Sequence, residues 1–117
     1  MLGVWPANPA CVVWSDSDVS KIDLTSIDGD LKGFIGGFAS GNFGYLVPYH
    51  NGAYHHGKLV RFELATFSNV QVLDLTATDG ALKGFLGGFA SGGDGYLVPH
   101  GDWNGAKLGK VVRIAAV

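Results

Sequence analysis

The sequence is poor in charge and in the reactive side chains that usually announce an enzyme. Charged residues are 15% of its 117 positions, Glu63 is the sole glutamate, and Cys11 is the sole cysteine. A lone cysteine excludes an internal disulfide and a thiolate-rich zinc site. Set in the apolar run CVVW, Cys11 reads as a buried thiol. A net charge of -2 gives no electrostatic reason to expect nucleic acid or an anionic membrane as partner. No apolar run approaches the roughly 20 residues of a membrane-spanning helix. The opening MLGVWPANPACVVW lacks a basic start and is interrupted by Pro6 and Pro9, so it is not read as a secretory signal. Helical periodicity is missing as well. Glycine and β-branched residues recur too often for helices of useful length.

What is present is repetition. LKGFIGGFASGNFGYLVP (Leu31–Pro48) returns as LKGFLGGFASGGDGYLVP (Leu82–Pro99), identical at 15 of 18 positions and offset by 51 residues. The 19 glycines, with 47% apolar residues, fit short strands joined by tight turns. One copy reads as strand A (33–39), the turn SGNFG, strand B (44–49), a long loop, strand C (58–64), the turn ATFSN and strand D (70–76). The second copy gives A (84–90), B (95–100) and C (110–115), and then the sequence ends. Its missing fourth strand has a counterpart near the start, where VSKIDLTSIDG (Val19–Gly29) aligns with VQVLDLTATDG (Val70–Gly80) at the same offset of 51. The expected fold class is therefore all-β: two four-stranded antiparallel units, one of them split between the N- and C-termini. Residues 1–18 form an N-terminal extension and 19–117 the repeat module. Within the extension, ACVVW (10–14) aligns with RFELA of strand C, as a relic of an upstream unit would.

Four short strands per repeat of about 40–50 residues resemble the blades of the β-propeller superfamily. The stretch GKLVRFELATFSNVQVLDL (Gly57–Leu75) is similar to the third and fourth strands of kelch-type blades. The glycine pairs Gly36–Gly37 and Gly87–Gly88 lie in strand A, where a kelch pattern would place them after strand B. Without a Cβ they would let inner strands crowd together, or they mark a β-bulge.

The resemblance implies partners. A blade cannot cover both of its faces alone, and repeat stacks need about three units or more. The chain is accordingly expected to complete a ring with further copies of itself as a cyclic homo-oligomer, a trimer being favoured. The alternatives are a fragment of a longer propeller and a two-sheet sandwich that stands alone.

Up-and-down connectivity places the D–A and B–C loops at one end, together with all four histidines. Long loops with aromatic and polar tips on a rigid frame are where binding resides. The candidate ligand-binding residues are Lys32, Tyr49, His50, Asn51, Tyr54, Lys83, His100, Asp102, Trp103 and Asn104. Lys32 and Lys83, opening the inner strands, would line a central channel. Asp28–Gly29 and Asp79–Gly80 read as tight turns. His55–His56 is a poor metal motif, because neighbours on a strand face opposite ways and the second copy has no histidine there. Asp16-Ser17-Asp18 lacks the glycine and distal glutamate of a calcium loop. There is no Gly-x-Ser-x-Gly elbow, no phosphate loop and no carboxylate pair singled out by spacing. Neither metal nor cofactor is expected. The leading expectation is a non-enzymatic binding module for a glycan or a peptide. An enzyme of lyase or hydrolase type on the same face, or a structural propeller fragment without ligand, remain open alternatives. Trp103→Ala is expected to weaken ligand binding and to leave assembly intact, as measured by titration calorimetry beside light scattering.

Overall fold

The computed structural model describes residues 13–101 and 107–115. They form two antiparallel sheets. The first has four strands in the order β1 (Phe34–Ser40), β2 (Phe43–Pro48), β3 (Lys58–Glu63) and β4 (Ser68–Asp74). The second has three, β5 (Phe85–Ser91), β6 (Asp94–Pro99) and β7 (Val112–Ile114), also in chain order. The repeated motif thus makes the same hairpin twice. Ser40 pairs with Phe43 and Ser91 with Asp94, so each turn has two residues at its tip. Such turns need backbone with φ above zero, supplied by Gly41 (57°) in the first and by Gly92 and Gly93 (60° and 87°) in the second.

The two readings of the glycine pairs are both realised. Pairing slips between Phe34 and Gly37 and again between Phe85 and Gly88, which is a bulge in each inner strand. The bulges also meet. The sheets pack through β1 and β5, and a Cβ added to Gly36 would lie 3.0 Å from the Cα of Gly87. Around this contact a core collects Tyr45, Val47, Leu59 and Leu75 from the first repeat with Leu82, Phe85 and Leu97 from the second. Val47, Phe85 and Leu97 are fully buried, each worth about 1.5–3 kcal/mol in apolar transfer. A backbone bond crosses between the repeats, Gly84 N–H donating to the His56 carbonyl at 3.2 Å.

Expectation and structure part at two places. Strand D ends at Asp74, and its last residues become a 3₁₀ turn, Leu75–Ala77, because the Asp74 carboxylate accepts the Thr76 N–H at 3.0 Å. Its N-terminal counterpart is not a strand. Residues 19–23 run without a ladder partner among the described residues and lead into an equivalent 3₁₀ turn, Leu24–Ser26. A strand exists by pairing, and no described edge of its own chain meets this segment, so the second sheet keeps three strands.

Gly57→Ala tests the tightness of the contact between repeats. The added Cβ would lie 2.1 Å from the Leu82 carbonyl oxygen, a backbone atom that cannot swing aside. Chemical denaturation is expected to show a loss of about 1–3 kcal/mol. Gly29→Ala, with open space around it, should stay within about 0.5 kcal/mol of the wild type.

Candidate functional site

Two loops of the first repeat and one connection to the second converge at the histidine-bearing end. The turn after Leu24–Ser26 carries Asp28 and Asp30. It is folded by the Asp28 carboxylate, whose Oδ1 accepts the Asp30 N–H at 3.0 Å. The long β2–β3 loop is folded by Asn51. That side chain is buried, and its Oδ1 accepts from both Ala53 N–H and Tyr54 N–H at 3.0 Å. Asn51 therefore shapes the loop and holds Tyr54 outward, where it is 51% exposed. Lys58, first residue of β3, points back between the carboxylates. Its ammonium donates to Asp28 Oδ2 at 2.5 Å and to Asp30 Oδ2 at 3.1 Å. The Tyr54 hydroxyl lies beside the Asp30 carboxylate and interacts with it as well.

This network fixes its own charges. The Lys58 hydrogen bond, helped by the Asp30 N–H, holds the Asp28 carboxyl below its ordinary value of 3.8. Tyr54 first and Lys58 second do the same for Asp30. The two carboxylates push the Lys58 ammonium well above its usual range, and Asp30 raises the Tyr54 phenol. Buried beside them, His56 is pushed below its ordinary 6.5 chiefly by burial and stays neutral at pH 7. Its Nδ1 accepts the Lys58 N–H at 3.4 Å, while Nε2 has no well-formed hydrogen bond among the described residues.

A cleft of about 390 Å³ opens beside the network, lined by Asp30, Tyr54, His55, Lys58, Asp74 and Lys83 among others. Its walls come from both repeats, Lys83 entering from the connection to β5. Next to it stands an aromatic group. Tyr49 meets His55 edge-on with ring centroids 5.0 Å apart and His100 at 5.8 Å, and His50 meets His55 at 4.7 Å. A second hollow of about 350 Å³ lies between β3–β4 and the end of β7.

The candidates read from the sequence thus fall into separate places. Tyr54 and Lys83 line the cleft, and Tyr49, His50 and His100 form the aromatic group beside it. Asn51 is the loop's internal fastening. Lys32 is exposed at the start of β1 and lies outside the cleft lining. Asp102, Trp103 and Asn104 lie outside the described residues. The pairing of His55 and His56 on a strand does not occur; both precede β3, in a loop where His50 and His55 form an isolated bridge. Among the described residues no three His, Cys, Asp or Glu side chains are grouped as a metal's ligands.

The Asp28–Asp30–Lys58 network was missed by sequence reasoning, which took Asp28–Gly29 as a plain turn. One signal was available. Asp79 and Lys110 are the repeat counterparts of Asp28 and Lys58, and they too are joined, at 2.6 Å. A charge pair kept in both copies marks a frame. The copy lacks the second carboxylate, since Ala81 stands where Asp30 does. The doubled carboxylate therefore belongs to the first repeat alone. Compared with family models, with curated proteins and with solved structures, the chain matches none.

Removing the cation should release the carboxylates. In Lys58→Met, NMR titration is expected to return Asp28 and Asp30 toward 3.8. Their folded values are depressed, so the stability they contribute is full above the ordinary carboxylate range. It is lost as pH falls through the folded values, below 3.8. Denaturation midpoints followed down through that window should fall less in Lys58→Met than in the wild type.

Proposed function

We propose that this chain is a non-enzymatic binding module built from β-propeller-type repeats, and that the histidine-bearing end takes a glycan. The observation that carries the reading is the cleft where Tyr54, Asp30, Lys58 and Lys83 converge from two repeats beside the Tyr49–His55–His100 rings. A sugar offers hydroxyls that both donate and accept, with apolar ring faces between them. Carboxylates, ammonium groups and exposed aromatic rings within one cleft match that pattern. Tyr54 brings a large surface on backbone fastened by the Asn51 side chain, which accepts the Tyr54 N–H at 3.0 Å, so less freedom is lost on binding.

The charge states speak against catalysis. A hydrolase of sugars needs one carboxylic acid held protonated near neutral pH. Asp28 and Asp30 are both pushed the other way, toward permanent charge. Lys58 is locked as a cation and is no general base. Such a network binds and orients.

The test is a screen of neutral and acidic oligosaccharides by NMR chemical-shift perturbation, followed by titration of any ligand found. Tyr54→Ala and Lys83→Ala are each expected to weaken binding about tenfold, roughly 1.4 kcal/mol. The reading fails if affinity depends instead on the turns at the opposite end, through Asn42 or Asp94.

A further inference from the structure

We infer that two copies of this chain join head to tail, the open face of one copy's second sheet receiving the outer face of the next copy's first sheet. The inference goes beyond the ligand-binding reading and does not depend on it. It rests on a comparison of the two repeats, position by position, in which the residues of the contact inside the chain have counterparts on the outer faces of the two sheets.

Inside the chain, the first sheet presents Phe38, Tyr45, Val47 and Leu59 to the second. Phe38 stacks on Tyr45 with centroids 4.9 Å apart and planes 7° from parallel. The counterparts in the second sheet are Phe89, Tyr96, Val98 and Val111. Phe89 stacks on Tyr96 in the same way, at 5.2 Å and 19°. Here, however, nothing among the described residues covers the stack. Val47 is 0% exposed and Val98 40%; Leu59 is 3% exposed and Val111 68%. The second sheet thus carries the same apolar face, built and left open.

The complementary face is also present. What covers Tyr45 and Val47 inside the chain is the other side of the second sheet, with Phe85, Leu97, Val112 and Ile114. Their counterparts in the first sheet are Phe34, Leu46, Val60 and Phe62, identical at three of four positions. They lie on the face turned away from the second sheet; there Val60 is itself buried, Phe34, Leu46 and Phe62 are half-buried, and the rim is open at Val72 of β4, paired with Val60 and 40% exposed. The second sheet therefore offers a socket, and the first sheet carries on its outer face, as the plug, counterparts of the residues that fill such a socket inside the chain. A second copy is the occupant whose surface is already known to match.

The strand edges agree. β3 carries β4 on its outer edge, with Arg61 opposite Gln71 and Lys58 opposite Asp74. The counterpart edge of β7 has no partner strand among the described residues. The counterpart of β4 is residues 17–23, of which Ser17 and Asp18 close a 3₁₀ turn, Asp16–Asp18, and 19–23 run without a ladder partner among the described residues. In the same register, Ser20 of one copy would face Arg113 of its neighbour, and Asp23 would face Lys110. The connector is already shaped for the crossing. Asp23 caps the Leu24–Ser26 turn with a bond of 3.0 Å to Thr25 N–H, as Asp74 caps the turn that carries β4 into β5. The same neighbour would supply both the strand and the covering sheet, since residues 17–23 lead directly into β1. An open strand edge and an open apolar face on each copy are strong templates for association, and repeated heterologous contacts close into rings when the rotation permits.

Light scattering on the full chain is expected to give a multiple of 12.3 kDa. Val98→Asp spoils the socket and Val72→Asp the plug, each at an exposed position. Each variant alone should lose the larger assembly. Mixed together they retain one intact socket and one intact plug, and should form a one-to-one dimer. A mixture that gives no dimer overturns the head-to-tail arrangement in favour of a symmetric one. So does a wild-type chain that runs at 12.3 kDa at high concentration, as it would if further repeats of a longer chain were the natural cover. Should either aspartate variant fail to fold by circular dichroism, Ser20→Cys with Arg113→Cys in a Cys11→Ser background reads the same contact with both faces intact. Disulfides between chains are expected. A disulfide within one chain, or none, defeats the proposal. Because no ligand is involved, its failure would leave the glycan reading standing.

Discussion

Everything in this fold depends on two bare backbones meeting. β1 and β5 can approach because Gly36 has no side chain where it meets the Gly87 backbone, and the bulge at each glycine pair turns the inner strands toward the contact. Close approach at that line brings Tyr45 and Val47 onto Leu97 and Phe85, and it carries the Leu82 carbonyl down onto Gly57. From there the geometry spreads to the loops. Gly84 sits where its N–H reaches His56 and where any side chain would strike His55 and the Gly101 carbonyl. The cleft at the histidine end owes its width and its two-sided walls to how tightly the inner strands close.

The charged network at that end illustrates how a frame element becomes a candidate site. Asp28 and Lys58 have counterparts in Asp79 and Lys110, and both pairs tie the turn before an inner strand to the start of the third strand. That shared pair is scaffold. Replacing Ala81 by Asp30 at the equivalent position adds a second carboxylate, which takes hold of Tyr54 and turns the scaffold into a recessed, polar, aromatic-edged surface. The aromatic group beside it is likewise built from unlike counterparts, Tyr49 in one repeat and His100 in the other. Divergence between the copies is concentrated at this end, as expected where the loops and not the strands meet a ligand.

Much of the architecture was legible in the sequence, for physical reasons that can be named. The hairpins were readable because alternation and two-residue glycine turns are local properties of the chain. The strand after the long loop was readable because Lys58–Glu63 alternates so plainly. What was not legible was nonlocal. Residues 19–27 carry the pattern of strand D, and within one chain no described edge is at hand for them to pair with. Asn51 looked like a ligand-binding amide, and its two bonds to its own loop come from a local fold that composition does not reveal. The reach of Lys58 back to Asp28 spans 30 residues, a distance over which spacing carries no signal except through the repeat.

The near-identity of the two hairpins bears on how the chain acquires its structure. Each forms from residues close in sequence, so both can appear early and independently. Once formed, they present almost the same surface, and a folding molecule cannot tell by chemistry which of them should lie beside which. The order must come from the strands that each hairpin recruits. β2 is joined by a third strand backed by β4, closed by a turn that forces Phe67 and Asn69 into the left-handed region at 50° and 57°. Among the described residues β6 is joined on that side by β7, three residues long, with no strand behind it. The asymmetry of the copies therefore works as a sorting device during folding, and an evolutionary drift toward perfect repetition would erase it, trading a unique order of sheets for tangled exchange between molecules.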